Sequence, residues 1–259
     1  MLSSLEACEI DPLAEPETNS TTTSSVPEEV CQTLPPRSSA RRTSGRTELR
    51  KPLIIFDWDD TILPTSYLAK LGYKLDSPNP TAAVQAVLDE YSVLANRTLI
   101  ESAKRGHVMI VTNAETGWIQ LTVEKFMPRS VSVVKKFQHI SARSMFEPTG
   151  VTTPIAWKEN AFKMVVEEYL RAARHESLGN KKVTGKCQVV SLGDSAHERE
   201  AVLKVCEEFR DQGVVCKSLK FMERPDIDSL KKEHQLIQDC LSDILHHKDH
   251  LDLCIQSSL

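Results

Sequence analysis

From Pro52 onward, short unbroken apolar runs alternate with longer stretches in which apolar residues recur every three to four positions. The first pattern suits strands buried on both faces and the second suits amphipathic helices, so the chain predicts an α/β fold with crossover helices around a mainly parallel sheet. Predicted strands cover 53–58, 107–111, 138–142 and 187–192, and a fifth begins at 213–216. Predicted helices cover 82–104, with Val84, Leu88, Tyr91 and Ala95 on one face, then 116–126, 156–175 and 196–211. The 156–175 helix gathers Phe162, Val165, Val166 and Tyr169 on one side. The last segment, 226–250, reads as a C-terminal helix, and Leu230, Ile237, Ile244 and Leu251 fall at seven-residue steps. That spacing suits a coiled coil, but His234 and Lys248 stand at the alternate seam positions, so the helix is expected to dock on its own domain and no oligomer is predicted.

The first 48 residues have a different character. They are rich in Ser, Thr, Pro and Glu and lack the apolar periodicity that could offset the entropy of ordering them, so 1–48 is expected to be a disordered tail and 49–259 the folded domain. Within the tail, Arg41-Arg42-Thr43-Ser44 resembles the target of a basophilic kinase, and phosphate on Ser44 would reverse a local positive charge. An unmodified, solvated basic patch is the alternative reading.

Composition narrows the function. The chain has 259 residues, 40% of them hydrophobic, enough for an ordinary core. A formal net charge of -4 gives no basic field of the kind that holds nucleic acid without sequence preference. The N-terminus shows no basic region followed by an apolar stretch, and no apolar run approaches bilayer length, so neither secretion nor membrane insertion is expected. Seven widely spaced cysteines, without a C-x-x-C pair, favour reduced thiols and a cytoplasmic or nuclear setting.

The candidate chemistry begins where the first strand ends. Leu53-Ile54-Ile55-Phe56 runs into Asp57-Trp58-Asp59-Asp60-Thr61, and strand alternation would project Asp57 and Asp59 together at the end of the sheet where open α/β folds hold their ligands. Two crowded carboxylates call for a cation or a shared proton. Thr112-Asn113 at the end of the second strand leads into a helix, which suits an anion or a simple N-cap. At the end of the fourth strand, Gly193-Asp194-Ser195-Ala196-His197-Glu198 brings a third acid to the same crevice.

On these residues the chain resembles the haloacid dehalogenase superfamily of phosphatases and phosphotransferases, whose four motifs match Asp57-Trp58-Asp59-Asp60-Thr61, Thr112, a lysine, and Gly193-Asp194 with Glu198. The likeness covers roughly residues 52–220. It implies a doubly wound, five-stranded Rossmann-like sheet in the order 3-2-1-4-5. It also implies a Mg²⁺-dependent phosphatase in which Asp57 is the nucleophile and Asp59 the general acid and base. Thr112 and Asn113 would bind the phosphoryl group. Asp57, Asp194 and Asp59, the last through its backbone carbonyl, would hold Mg²⁺, and Glu198 is a supporting acid where the family more often has Asp. The lysine is assigned to Lys158, at the start of a strong helix, with Lys135, Lys136 and Lys186 as rivals. Phosphoryl transfer to another acceptor, or a non-catalytic module that binds a phosphorylated partner, are the alternative functions.

Only about 20 residues separate Thr61 from the first long helix, and they include Pro64, Pro78 and Pro80, which leaves room for a flap but not for a folded lid. A site without a lid relies on its substrate to exclude water, which favours a large phosphosubstrate such as a phosphoprotein. Trp58, Trp118 and Trp157 all lie beside motifs. Trp58 is expected in the core, whereas Trp118 and Trp157 are open between packing and an aromatic rim.

Overall fold

The computed structural model describes residues 5–7, 48–178 and 183–255, with side chains described over 50–175 and 185–255. The strands are β1 (Leu5–Ala7), β2 (Glu48–Leu49), β3 (Leu53–Phe56), β4 (His107–Thr112), β5 (Gln138–Ser141), β6 (Val183–Thr184), β7 (Cys187–Gly193), β8 (Val214–Lys220) and β9 (Leu251–Ile255). The helices are α1 (Thr65–Lys70), α2 (Ala82–Arg105), α3 (Trp118–Phe126), α4 (Val131–Val134), α5 (Ala142–Phe146), α6 (Pro154–Leu178), α7 (Ala196–Glu208) and α8 (Ile227–His246).

The main sheet has the order β5-β4-β3-β7-β8-β9-β1, in which all strands but β1 run parallel. The first five positions reproduce the expected order. β3 lies between β4 and β7, so the chain reverses its direction of winding there and opens a crevice at the C-terminal ends of those strands. Alternation along β3 sends Ile54 and Phe56 into a core shared with α2, α3 and α8, and Leu53 and Ile55 into one shared with α6 and α7. Two helical layers therefore sandwich the sheet.

Two departures from the sequence reading have physical causes. β8 was expected as an edge, yet it is buried along nearly its whole length, and a strand of that kind needs a neighbour on both sides. β9 supplies it, in a segment that the sequence reading assigned to the end of the helix and its last apolar step. α8 stops at His246 because the Lys217 ammonium, reaching over from β8, donates to the carbonyls of Ile244, Leu245 and His247 and so closes the helix end. The chain then turns, and Leu251 falls in β9 rather than on the seam. Leu230, Ile237 and Ile244 are buried against the domain itself, with α2 as the principal helical neighbour.

The second departure lies in the tail. Leu5–Ala7 adds β1 antiparallel to β9, pairing Leu5 with Ile255 and Ala7 with Leu253, although three residues show no period of their own. Glu48–Leu49 pairs with Val183–Thr184 as a small separate ladder. Residues 8–47, Ser44 among them, lie outside the described residues, as do most of the positions for which disorder was expected. Among the described residues no helix is long and apolar enough to cross a membrane.

Candidate functional site

The β3 ladder continues one bond beyond the strand, where the Asp57 amide donates to Leu192 O at 2.9 Å. This fixes Asp57 at the crevice with only 7% of its surface exposed. Lys158 enters from the first turns of α6 and is 1% exposed. Its ammonium donates to Asp57 Oδ1 at 2.6 Å and to Val111 O at 2.5 Å, and lies 3.0 Å from Glu198 Oε1. Three acceptors around one buried ammonium satisfy it and orient it.

Glu198 sits in the first turn of α7, where it completes a capping box with Ser195. The Ser195 amide donates to Glu198 Oε2 at 3.1 Å, and the Ser195 hydroxyl donates to the same oxygen. Gly193 is required by this arrangement, since a Cβ there would stand 2.6 Å from Glu198 Cγ and 2.8 Å from its Cβ. Asp194 follows directly. One carboxylate oxygen from each of Asp57, Asp194 and Glu198 lies within 4.8 Å of the other two.

The electrostatics of this cluster are unfavourable as it stands. Burial raises Asp57 to about 7, against the pull of Lys158 and with help from Glu198 and Asp59. Burial also raises Asp194 to about 8, followed by repulsion from Asp57, Glu198 and Asp60. For Glu198, burial opposes ionisation, but Lys158 and Ser195 outweigh it and hold the carboxyl below its ordinary value. Burial likewise opposes the Lys158 ammonium, and the two acids beside it override that and hold its pKa above the ordinary value. The donor set is entirely oxygen and anionic, as a hard divalent cation requires, and a cation there would offset the burial and repulsion that raise Asp57 and Asp194. Asp57 and Asp194 are the better placed ligands, because both oxygens of Glu198 already accept from Lys158 and Ser195.

Asp59 does not extend the strand's alternation, which stops at Phe56. The chain turns through Asp60, at φ +52°, and the Asp59 carboxylate is not one of the three acids grouped within 4.8 Å. Thr65 Oγ1 donates to Asp59 Oδ1 at 2.6 Å, and the Trp118 indole N–H donates to both carboxylate oxygens at 3.0 and 3.1 Å. Burial raises Asp59, and these two donors oppose the rise. Asp60 in turn accepts from the Ser66 amide at 2.7 Å and from its hydroxyl. Behind the turn, the buried Tyr91 hydroxyl donates to Ile62 O at 2.8 Å and meets His234 Nε2 at 2.9 Å.

Thr112 and Asn113 flank this centre on β4, one and two residues beyond the Val111 carbonyl that Lys158 grips. Thr112 is buried, and its hydroxyl accepts from the Ala114 amide at 3.0 Å. Asn113 Nδ2 donates to Pro154 O at 3.1 Å, joining the end of β4 to the start of α6. A cavity of about 260 Å³ adjoins Thr112, with Glu115, Gly117, Gln120, His139 and Ser141 in its wall. Lys135, Lys136 and Lys186, the rivals of Lys158, make none of these contacts.

Two site residues were missed in the sequence. Thr65 had only its place six positions after Asp59 to mark it. Trp118 was open between packing and rim, and it does neither alone: it packs on the core and bonds to Asp59. Trp58 is fully buried and donates to Thr122 Oγ1 at 3.0 Å, and Trp157 is packed in the other core and donates to Val151 O at 2.6 Å.

No protein-family model matches the chain, and no curated protein matches it. A similar solved structure is the crystal structure of the TFIIH p34 N-terminal domain, at 13% identity over 82% of this chain and 91% of that one. Its TM-score is 0.30, too low to carry an argument.

Proposed function

We propose that this protein is a Mg²⁺-dependent phosphatase related to the haloacid dehalogenase superfamily, with Asp57 as nucleophile and Asp59 as general acid and base. The observation that carries the reading is the constellation of buried Asp57 and Glu198 with half-buried Asp194 within 4.8 Å, and the Lys158 ammonium 2.6 Å from Asp57. An ion pair buried this fully is poor value for stability alone, and perturbed carboxyls in a crevice favour a functional site.

Asp57 would attack phosphorus through a carboxylate oxygen, forming an acyl phosphate as the bond from phosphorus to the substrate oxygen breaks. Asp59 would hand its proton to that departing oxygen. Water would then attack the same phosphorus, its proton passing to Asp59, and the bond to Asp57 would break to release inorganic phosphate. Lys158 would neutralise charge on Asp57 and on the phosphoryl oxygens throughout, and Thr112 would donate to one of those oxygens. Asp57 and Asp194 would hold Mg²⁺, which would supply positive charge to offset the negative charge that accumulates on the phosphoryl oxygens.

The flap is small. It holds the six-residue α1, and Lys125 of α3 donates to the carbonyls of Lys74 and Leu75 at 2.8 Å and to that of Ser77, pinning the flap to the body. This favours a substrate bulky enough to exclude water by itself, such as a phosphoprotein. The test is phosphate release by the full chain from p-nitrophenyl phosphate and from a phosphopeptide panel, with and without Mg²⁺. Asp57→Asn is expected to lower turnover by about a thousandfold or more. Equal inertness of wild type and variant across the panel would end the reading.

A further inference from the structure

The end of the sheet opposite this site carries its own cavity. It measures about 430 Å³, within the range of about 300–1,000 Å³ common for small-molecule pockets. Its walls come from the beginnings of β3, β4 and β5 and from the later turns of α6. One side is apolar, with Leu53, Met109, Phe137, Val165 and Tyr169, and the small side chain of Ala172 leaves the space open. Around the rest stand Arg50, Lys51, His107 and Lys136, with Glu168 as the one acid in the lining. A second cavity of about 260 Å³ shares Arg50 and Lys51 and adds Arg105, Lys186 and His246, without a carboxylate. The whole chain has fewer basic than acidic residues, 32 against 36, so this local excess is not a reflection of composition.

A structural account covers part of it. Crossover helices end at this side of the sheet, and cations there complement the helix carbonyls. Lys217 does so for α8, and Arg105 bonds Glu101 O in the last turns of α2. Lys186 stands 4.0 Å from Asp249. Lys51, His107 and Lys136 belong to no helix, are exposed, and form no ion pair among the described residues. Two ammonium groups and an imidazole lining an apolar-walled cavity, none in an ion pair among the described residues, are matched by a ligand that is anionic at one end and apolar at the other.

We propose that this cavity binds a phosphorylated small molecule with a flat apolar body, its phosphates against Lys51, His107 and Lys136 and its ring against Phe137, Val165 and the face of α6. The site is separate from the acidic crevice and independent of the chemistry proposed there.

ATP in metal-free buffer is the probe, titrated by calorimetry into the full chain, with adenosine and tripolyphosphate as the two halves of the ligand. Saturable one-to-one binding of ATP is expected, with each half at least about tenfold weaker. Lys51→Glu with Lys136→Glu, and separately the cavity-filling Ala172→Trp, are expected to weaken ATP by at least about tenfold, whereas Glu168→Gln tightens it. Asp57→Asn is expected to leave it unchanged, which separates this site from the crevice. Ala172 is exposed, so the tryptophan has room to enter the cavity from its rim without displacing the core. Absence of ATP binding up to about 1 mM, or binding that survives both the charge reversal and the tryptophan, overturns the proposal. Tripolyphosphate binding as tightly as ATP would overturn the apolar half of it.

Discussion

The two ends of the sheet carry opposite charge. At the C-terminal ends of the strands stand Asp57, Asp59, Asp60, Asp194 and Glu198, with α3, α6 and α7 starting there. At the N-terminal ends stand Arg50, Lys51, Arg105, His107, Lys136 and Lys186, with α2 and α8 ending there. A parallel sheet with crossover helices imposes this polarity, because every helix dipole that returns beside it points the same way. What differs is burial. The acids are buried or half-buried, with Asp57, Glu198 and Asp59 held by Lys158, Ser195, Thr65 and Trp118, whereas Lys51, His107 and Lys136 stay in solvent. Opposed charges at equal removal from the core would be a consequence of dipoles alone, and the deeper burial of one set is what the chemistry proposed for that end requires.

Lys158→Met should break the comparison most severely. It leaves Asp57 and Glu198 facing each other in a buried crevice, and removing one partner of such a group costs about 3–5 kcal/mol. Urea denaturation at pH 8 measures this. Lys163→Met is the control, since its pair with Glu208 is roughly half exposed on both sides and should leave stability nearly unchanged. Comparable losses in the two variants would mean that the crevice is more solvated than its burial indicates.

Trp118→Phe removes one N–H and keeps the ring. If Asp59 protonates the leaving oxygen, kcat/KM should fall about tenfold for an alkyl phosphate, whose alkoxide is a poor leaving group, and less than about twofold for p-nitrophenyl phosphate. kcat/KM is the proper readout because it ends at the first irreversible step, before water enters. An equal fall for both substrates would assign Trp118 to packing alone.

Asp194→Asn tests the cost of holding this carboxylate partly buried and beside other acids. A carboxyl raised from 3.8 to about 8 contributes stability that is full below pH 3.8 and disappears as the pH climbs towards 8. In chelated buffer the variant should therefore match wild type near pH 4 and exceed it by at least about 1 kcal/mol at pH 8, a figure kept low because Asp194 is partly exposed. Mg²⁺ at pH 8 should raise the Tm of wild type more than that of the variant. A gap that stays constant across this range would show that neither burial nor its acidic neighbours raise Asp194.

Much of the acidic end was legible in the sequence, and little of the basic end. Asp57, Lys158, Asp194 and Glu198 stand at fixed offsets from apolar runs, and a strand end or a first helical turn places its side chains within narrow limits. Thr65 escaped notice, and Trp118 was named without its bond to Asp59, because the Asp59–Trp118 contact spans 59 residues and depends on how the flap folds back, which no local period records. β9 escaped for a similar reason: Lys217 ends α8 from another strand, so nothing within 226–250 marks the stop. β1 is made by pairing alone. At the basic end the cations come from four separated segments, each with one or two unremarkable charges, and only the sheet gathers them.

The smallest expected effect sharpens the contrast from the other side. Lys51→Glu and Lys136→Glu, each exposed and free of ion pairs among the described residues, should change unfolding free energy by less than about 0.5 kcal/mol. If cations at this end mainly serve helix ends, reversing two of them would instead destabilise the fold by about 0.3–1 kcal/mol each, more at low salt than at high salt. Denaturation of each variant at two ionic strengths distinguishes these cases. A salt-independent, near-zero change means that the fold does not need these charges, which leaves them available to the ligand proposed for this cavity.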